Sequence, residues 1–214
     1  MSEDAGTASA APGLNAERTK AFVDAVVAIA MTLLILPLMD SVNDSAARNH
    51  TTAEWLIAER DQLQSFLISF VLIAMFWMLH HRLFVSVVRV SAALFWITVG
   101  WMLTIVWMPV VTALTGQVDD DPLQKAIYIG SLIATTGILL ATRIHLLRRP
   151  ELHSSARADL RVGMSIDVSI DVSMIVLFAL ALVIAIAVPA IGYLALFVMF
   201  LTGVVQRGVS RLLR

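Results

Sequence analysis

Apolar residues dominate the chain from Ala21 onward, and the polar residues that interrupt them come in clusters. The first run begins with Arg18 and Lys20, admits one carboxylate at Asp24, and stays apolar to Pro37 and Met39. At about 1.5 Å per residue this is long enough to cross a bilayer core of ~30 Å. Further runs predict spans over roughly 63–79, 90–114 and 123–140. Residues 172–205 are uncharged and too long for one span, so Pro189 and Gly192 divide them in two. The pattern predicts an all-α polytopic membrane protein of six transmembrane helices over residues 16–214. Residues 1–15 are small, polar and rich in Ala and Ser; they lack the basic start and apolar core of a signal peptide and read as a disordered tail.

Helical phase divides the first span into two faces. At about 100° per residue, Arg18, Phe22, Val26, Ile29, Leu33 and Leu36 form one stripe. Thr32 lies on its flank, about 60° from Ile29, and Asp24 lies about 140° away. Such a carboxylate is costly in lipid and usually faces a bundle interior, a partner or water. A simple pairing with Lys20 at i,i+4 is the alternative.

Charge sets the expected orientation. The segment after the first span carries Asp40, Asp44, Glu54, Glu59 and Asp61, and the one after the third carries Asp119, Asp120 and Asp121. The segments after the second and fourth are basic, the latter through Arg143, Arg148, Arg149, Arg157 and Arg161; the tail from Arg207 is basic again. By the positive-inside rule both termini are cytosolic. Composition agrees with the class, with 59% hydrophobic and 14% charged residues and a mean hydropathy of +0.85. There is no cysteine, which excludes disulfides and thiolate chemistry.

Few groups suggest chemistry. His80 and His81 end the second span on the side where Arg18 and Asp24 begin the first, so a polar cluster of Asp24, Arg18 and His80 is geometrically reasonable. A haem or metal reading of His80-His81 is weak, since adjacent residues on a helix point about 100° apart and no Glu-x-x-His pair accompanies them. Asp167 and Asp171 share a helical face. They read as carboxylates in the first turns of the fifth span, with Ser165 as cap, or as a cation or proton site. No Thr-Val-Gly-Tyr-Gly filter, phosphate-cradling loop or His-Glu-x-x-His motif occurs.

Two motifs carry a resemblance. Arg18-x-x-x-Phe22-x-Asp24, followed by Ala28-Ile29-x-x-Thr32-Leu33-Leu34, resembles the transmembrane protein 175 family, with Val23 where the family has Ser. Trp77-x-x-His80-His81 is similar to the family's second-helix segment. The resemblance implies a potassium-selective channel without a carbonyl filter, assembled as a homotetramer. It matches Ile29 to the family's constriction and Arg18, Phe22, Asp24, Trp77 and His80 to its motif network.

The expectation is therefore a cation channel in the cell membrane, with potassium ions and lipid as partners. The first helix would line a central pore, with gating rings at Ile29, Leu33 and Leu36 and Thr32 as the nearby oxygen donor. A closed pore needs several copies around an axis. No enzyme activity, cofactor, bound metal or nucleic acid is expected. The alternative is a small secondary transporter using Asp24, Asp167 or Asp171, and a membrane enzyme built on His80-His81 is a distant third.

Overall fold

The computed structural model describes residues 14–118, 121–152 and 157–188, with 157–166 by backbone alone. Seven helices and one two-stranded sheet follow in order. Strand β1 (Leu14–Asn15) leads into α1 (Ala16–Leu33), and α2 (Leu36–Ala47) continues the same span. Short α3 (Thr52–Ala58) precedes α4 (Arg60–Phe84). Strand β2 (Arg89–Val90), α5 (Ala92–Gln117), α6 (Pro122–Arg148), a 3₁₀ turn at Pro150–Leu152 and α7 (Arg157–Ala187) complete the described chain. Five helical stretches among the described residues are long and apolar enough to cross a membrane. The chain is an all-α polytopic membrane protein. The expected sixth span, the basic tail, Asp119 and Asp120 lie outside what is described, as do residues 1–13; Ser165 does not cap a helix, because α7 starts eight residues before it, at Arg157.

Local chemistry explains most helix boundaries. Asn15 caps α1, its Oδ1 accepting from the Glu17 N–H at 2.9 Å. Thr51 and Glu54 form a reciprocal capping box at α3. Ser91 caps α5, and Asp121 caps α6 ahead of Pro122. Asn49, with φ 57°, takes the left-handed turn that ends α2. Leu14 pairs with Val90 and Asn15 with Arg89, so ordered chain starts ahead of the expected tail boundary after Asn15. This ties the foot of α1 to the α4–α5 connection. The Val88 N–H donates to the Leu152 carbonyl beside it.

The helices pack in sequence, α4 on α5, α5 on α6 and α6 on α7, with α1 laid against α5 and α4. The core is filled by Phe76, Phe84, Trp101, Tyr128 and Phe178. Ser69 and Tyr128 share a hydrogen bond at 2.8 Å, and Thr112 donates to Ser69 at 2.7 Å, joining α4, α5 and α6. Such hydroxyl contacts bind helices where hydrophobic contrast with lipid is lacking. Gly116 allows closest approach: a Cβ there would fall 2.9 Å from Gln62 Cγ.

Candidate functional site

α1 presents three sides. Thr19, Val23, Val27 and Ala30 are buried and carry it onto the core. Val23, which stands where the resembled family has Ser, is 1% exposed among apolar neighbours. The stripe from Arg18 through Phe22, Ile29 and Leu33 is turned about 100° away from that buried side. Phe22 and Ile29 are more than half exposed, and Leu33 and Leu36 are also exposed. Thr32 is exposed, and its hydroxyl donates to the Ile29 carbonyl at 2.7 Å.

The third side carries Asp24, which accepts from Trp77 Nε1 at 2.7 Å. Lys20 pairs with Glu17 at 2.9 Å instead of with Asp24. His81 lies against the Trp77 ring, centroids 5.5 Å apart. His80 points elsewhere: it is buried and stacked between Trp101 at 4.2 Å and Phe84 at 4.4 Å. Arg18 is exposed. The structure thus joins Asp24 to Trp77 and puts Phe22 and Arg18 on the open face.

The Asp24–Trp77 bond can be tested by itself. Trp77→Phe keeps the ring and deletes the donor, leaving a part-buried carboxylate short of one partner. The cost should be about 1–3 kcal/mol. Asp24→Asn retains an oxygen for the Trp77 N–H and should cost less. Thermal unfolding midpoints in detergent check the order; equal midpoints for Trp77→Phe and the parent would show that the bond contributes nothing.

One cluster was not expected. Arg143 Nε donates to Asp171 Oδ2 at 2.7 Å and Nη1 donates to Asp167 Oδ2 at 2.7 Å. Arg143 and Asp171 are buried, while Asp167 is half-exposed. The reading of both carboxylates as helix-start residues is corrected, because α7 begins at Arg157 and both lie well inside it. Arg143 is not the first cation of a basic loop, since α6 continues through it to Arg148.

A family model described as the endosomal/lysosomal potassium channel TMEM175 matches residues 18–109. Residues 18–109 are thus similar to the TMEM175 family. The match covers α1, its exposed stripe and the Asp24–Trp77 bond. The chain is 26% identical over 151 residues to the human endosomal/lysosomal proton channel TMEM175, covering 67% of this chain and 29% of that one. It is 29% identical over 120 residues to a potassium channel of Streptomyces collinus, 54% of this chain and 56% of that one. It therefore spans under a third of the length of the human TMEM175 and about half of the bacterial channel. The solved structure of a lysosomal potassium-selective TMEM175 homologue from Chamaesiphon minutus shares the fold, with a TM-score of 0.55 at 22% identity, over 87% of this chain and 97% of that one.

Proposed function

We propose that residues 16–214 form one subunit of a potassium-conducting channel, a homotetramer in the cell membrane with both termini cytosolic and α1 around the axis. The exposed stripe of α1 carries this reading. Ile29, Leu33 and Leu36 stand open while the same helix is held in rotation by its buried face and by the Asp24–Trp77 bond. Copies of the stripe around an axis would stack apolar rings at Ile29, Leu33 and Leu36, which gate by dewetting. Thr32 adds a hydroxyl beside the Ile29 ring. Arg18 and Phe22, both exposed, would complete the motif network at the cytosolic end across subunits, while His80 supports it from the core of its own subunit through Trp101 and Phe84. The names of the TMEM175 relatives and of the Streptomyces collinus channel agree with ion conduction.

The transporter alternative relied on Asp24, Asp167 and Asp171. Each already has a partner, Trp77 for the first and Arg143 for the other two, which favours anchoring roles. Reconstitution separates the two readings. The expected result is single-channel potassium current, with cross-linking that stops at four subunits. A cross-linking limit below four, or only slow carrier-like flux, would overturn the proposal.

A further inference from the structure

The first span is interrupted within its apolar length. Helix α1 ends at Leu33 and α2 begins at Leu36, although the combined stretch Ala16–Ala47 is a single candidate span. Taking Lys20 as the inner boundary, the break lies roughly 20 Å into the membrane, inside a hydrocarbon core of ~30 Å. Pro37 is the cause. It sits in the first turn of α2, has no N–H, and cannot close the helical bond to the Leu33 carbonyl. The Leu34 N–H turns to the Thr32 carbonyl, and the Ile35 N–H reaches the same oxygen at 3.3 Å. Helical bonding resumes when the Met39 N–H donates to the Ile35 carbonyl at 3.0 Å. The interruption therefore holds more acceptors than donors.

Irregular backbone at membrane depth survives only where it is buried in protein or lines a water-filled cavity. Toward α5 the break meets a hollow of about 420 Å³, lined on that side by Pro109, Val110, Ala113 and Leu114. Apart from Gln117 in its wall, that hollow is apolar and offers the carbonyls no side-chain donor. Leu33, Leu36 and Pro37 form the facing wall of this hollow, and Leu33, Ile35 and Leu36 remain exposed. No basic residue stands in the last turn of α1, where a helix C-terminus favours positive charge. Unwound carbonyls in discontinuous membrane helices are known to coordinate alkali cations, and carbonyl rings replace the hydration shell of potassium.

We propose that the Leu33 carbonyl, left without a helical donor by Pro37, is a potassium ligand, and that its copies around the axis form an oxygen ring between the Leu33 and Leu36 side-chain rings. The assignment rests on the pore reading above. It gives the apolar pore a source of potassium selectivity that stacked Ile and Leu side chains lack. These oxygens come from a helix interruption and need no filter loop.

Pro37→Ala restores an N–H that can bond the Leu33 carbonyl and continue the helix. In the reconstituted full chain, current should persist while the potassium-to-sodium permeability ratio falls toward unity. The detergent-solubilised parent should melt at a higher temperature in potassium chloride than in sodium chloride at equal ionic strength, and Pro37→Ala should lose that difference. Replacing Leu34 by its α-hydroxy acid keeps every side chain but makes the Leu33 carbonyl an ester, a weaker ligand; it should also lower the ratio. An unchanged ratio in folded Pro37→Ala, or in the ester variant if Pro37→Ala does not fold, would overturn the ligand assignment while leaving the pore intact. If Ile29→Asn also leaves current unaltered, the pore reading itself falls.

Discussion

Ile29→Asn is expected to raise basal cation current and weaken discrimination between potassium and sodium. Ile29 is the first deep residue of the stripe and is 59% exposed, so the substitution disturbs little packing within the subunit. Four isoleucines around an axis cannot replace an ion's hydration shell, and their ring excludes water. Moving a polar or charged species through such a ring without compensating hydrogen bonds costs several kcal/mol. An asparagine ring supplies amide donors and acceptors at about the same radius, so water and hydrated ions persist there. Each ~1.4 kcal/mol removed from the barrier gives about tenfold in rate, so a gain of ten- to a hundredfold is the expected scale. Leu33→Asn should act in the same direction. Ile35 would serve as an off-phase control on an unbroken helix, but it lies within the break. Leu103, 70% exposed on α5, is the better control. Fluxes at matched expression decide: equal currents from Ile29→Asn, Leu33→Asn and Leu103→Asn would leave the stripe with no pore to line.

The elements of this fold were legible where hydrophobic runs are long. The described spans fall where the apolar runs predict them, because twenty or so apolar residues have no other stable place than a membrane helix. The stripe of α1 was legible for the same reason: a helix fixes angular relations between side chains whatever it packs against. Besides the Arg143–Asp171 pairing, three features were not legible. Helix α2 runs to Ala47 through Asp40 and Asp44, since Pro37 sits in its first turn and starts the second helix instead of ending the first. Strands β1 and β2 are two residues each, too short for any alternating pattern. Of the adjacent histidines, His80 faces Trp101 and His81 faces Trp77, a choice made by tertiary packing. At the Asp24 anchor, the spacing of the motif showed that the carboxylate leaves the stripe; only the packing of α4 against α1 supplied Trp77 as its donor.

Asp171→Ala is expected to be the most destabilising single substitution in the described chain. The carboxylate is fully buried and takes two bonds from Arg143, Nε to Oδ2 at 2.7 Å and the longer Nη2 to Oδ1 at 3.4 Å. Arg143 is itself 4% exposed and cannot swing to water without opening the α6–α7 contact. Removing its main partner leaves a buried guanidinium held only by the half-exposed Asp167. Breaking a buried pair in this way costs about 3–5 kcal/mol, because the remaining charge is uncompensated. Asp167→Asn removes the weaker arm at a partly solvated site and should cost under about 1 kcal/mol. The double change Arg143→Met with Asp171→Leu removes both charges at similar volume and should recover most of the loss, since apolar replacements of buried pairs are often neutral or stabilising. Thermal midpoints of the purified full chain, with size-exclusion profiles, rank the variants. A double variant no more stable than Asp171→Ala would mean that the charges matter for more than their mutual pairing. An Asp171→Ala midpoint equal to the parent's would mean that α6 and α7 are held by their apolar contacts alone.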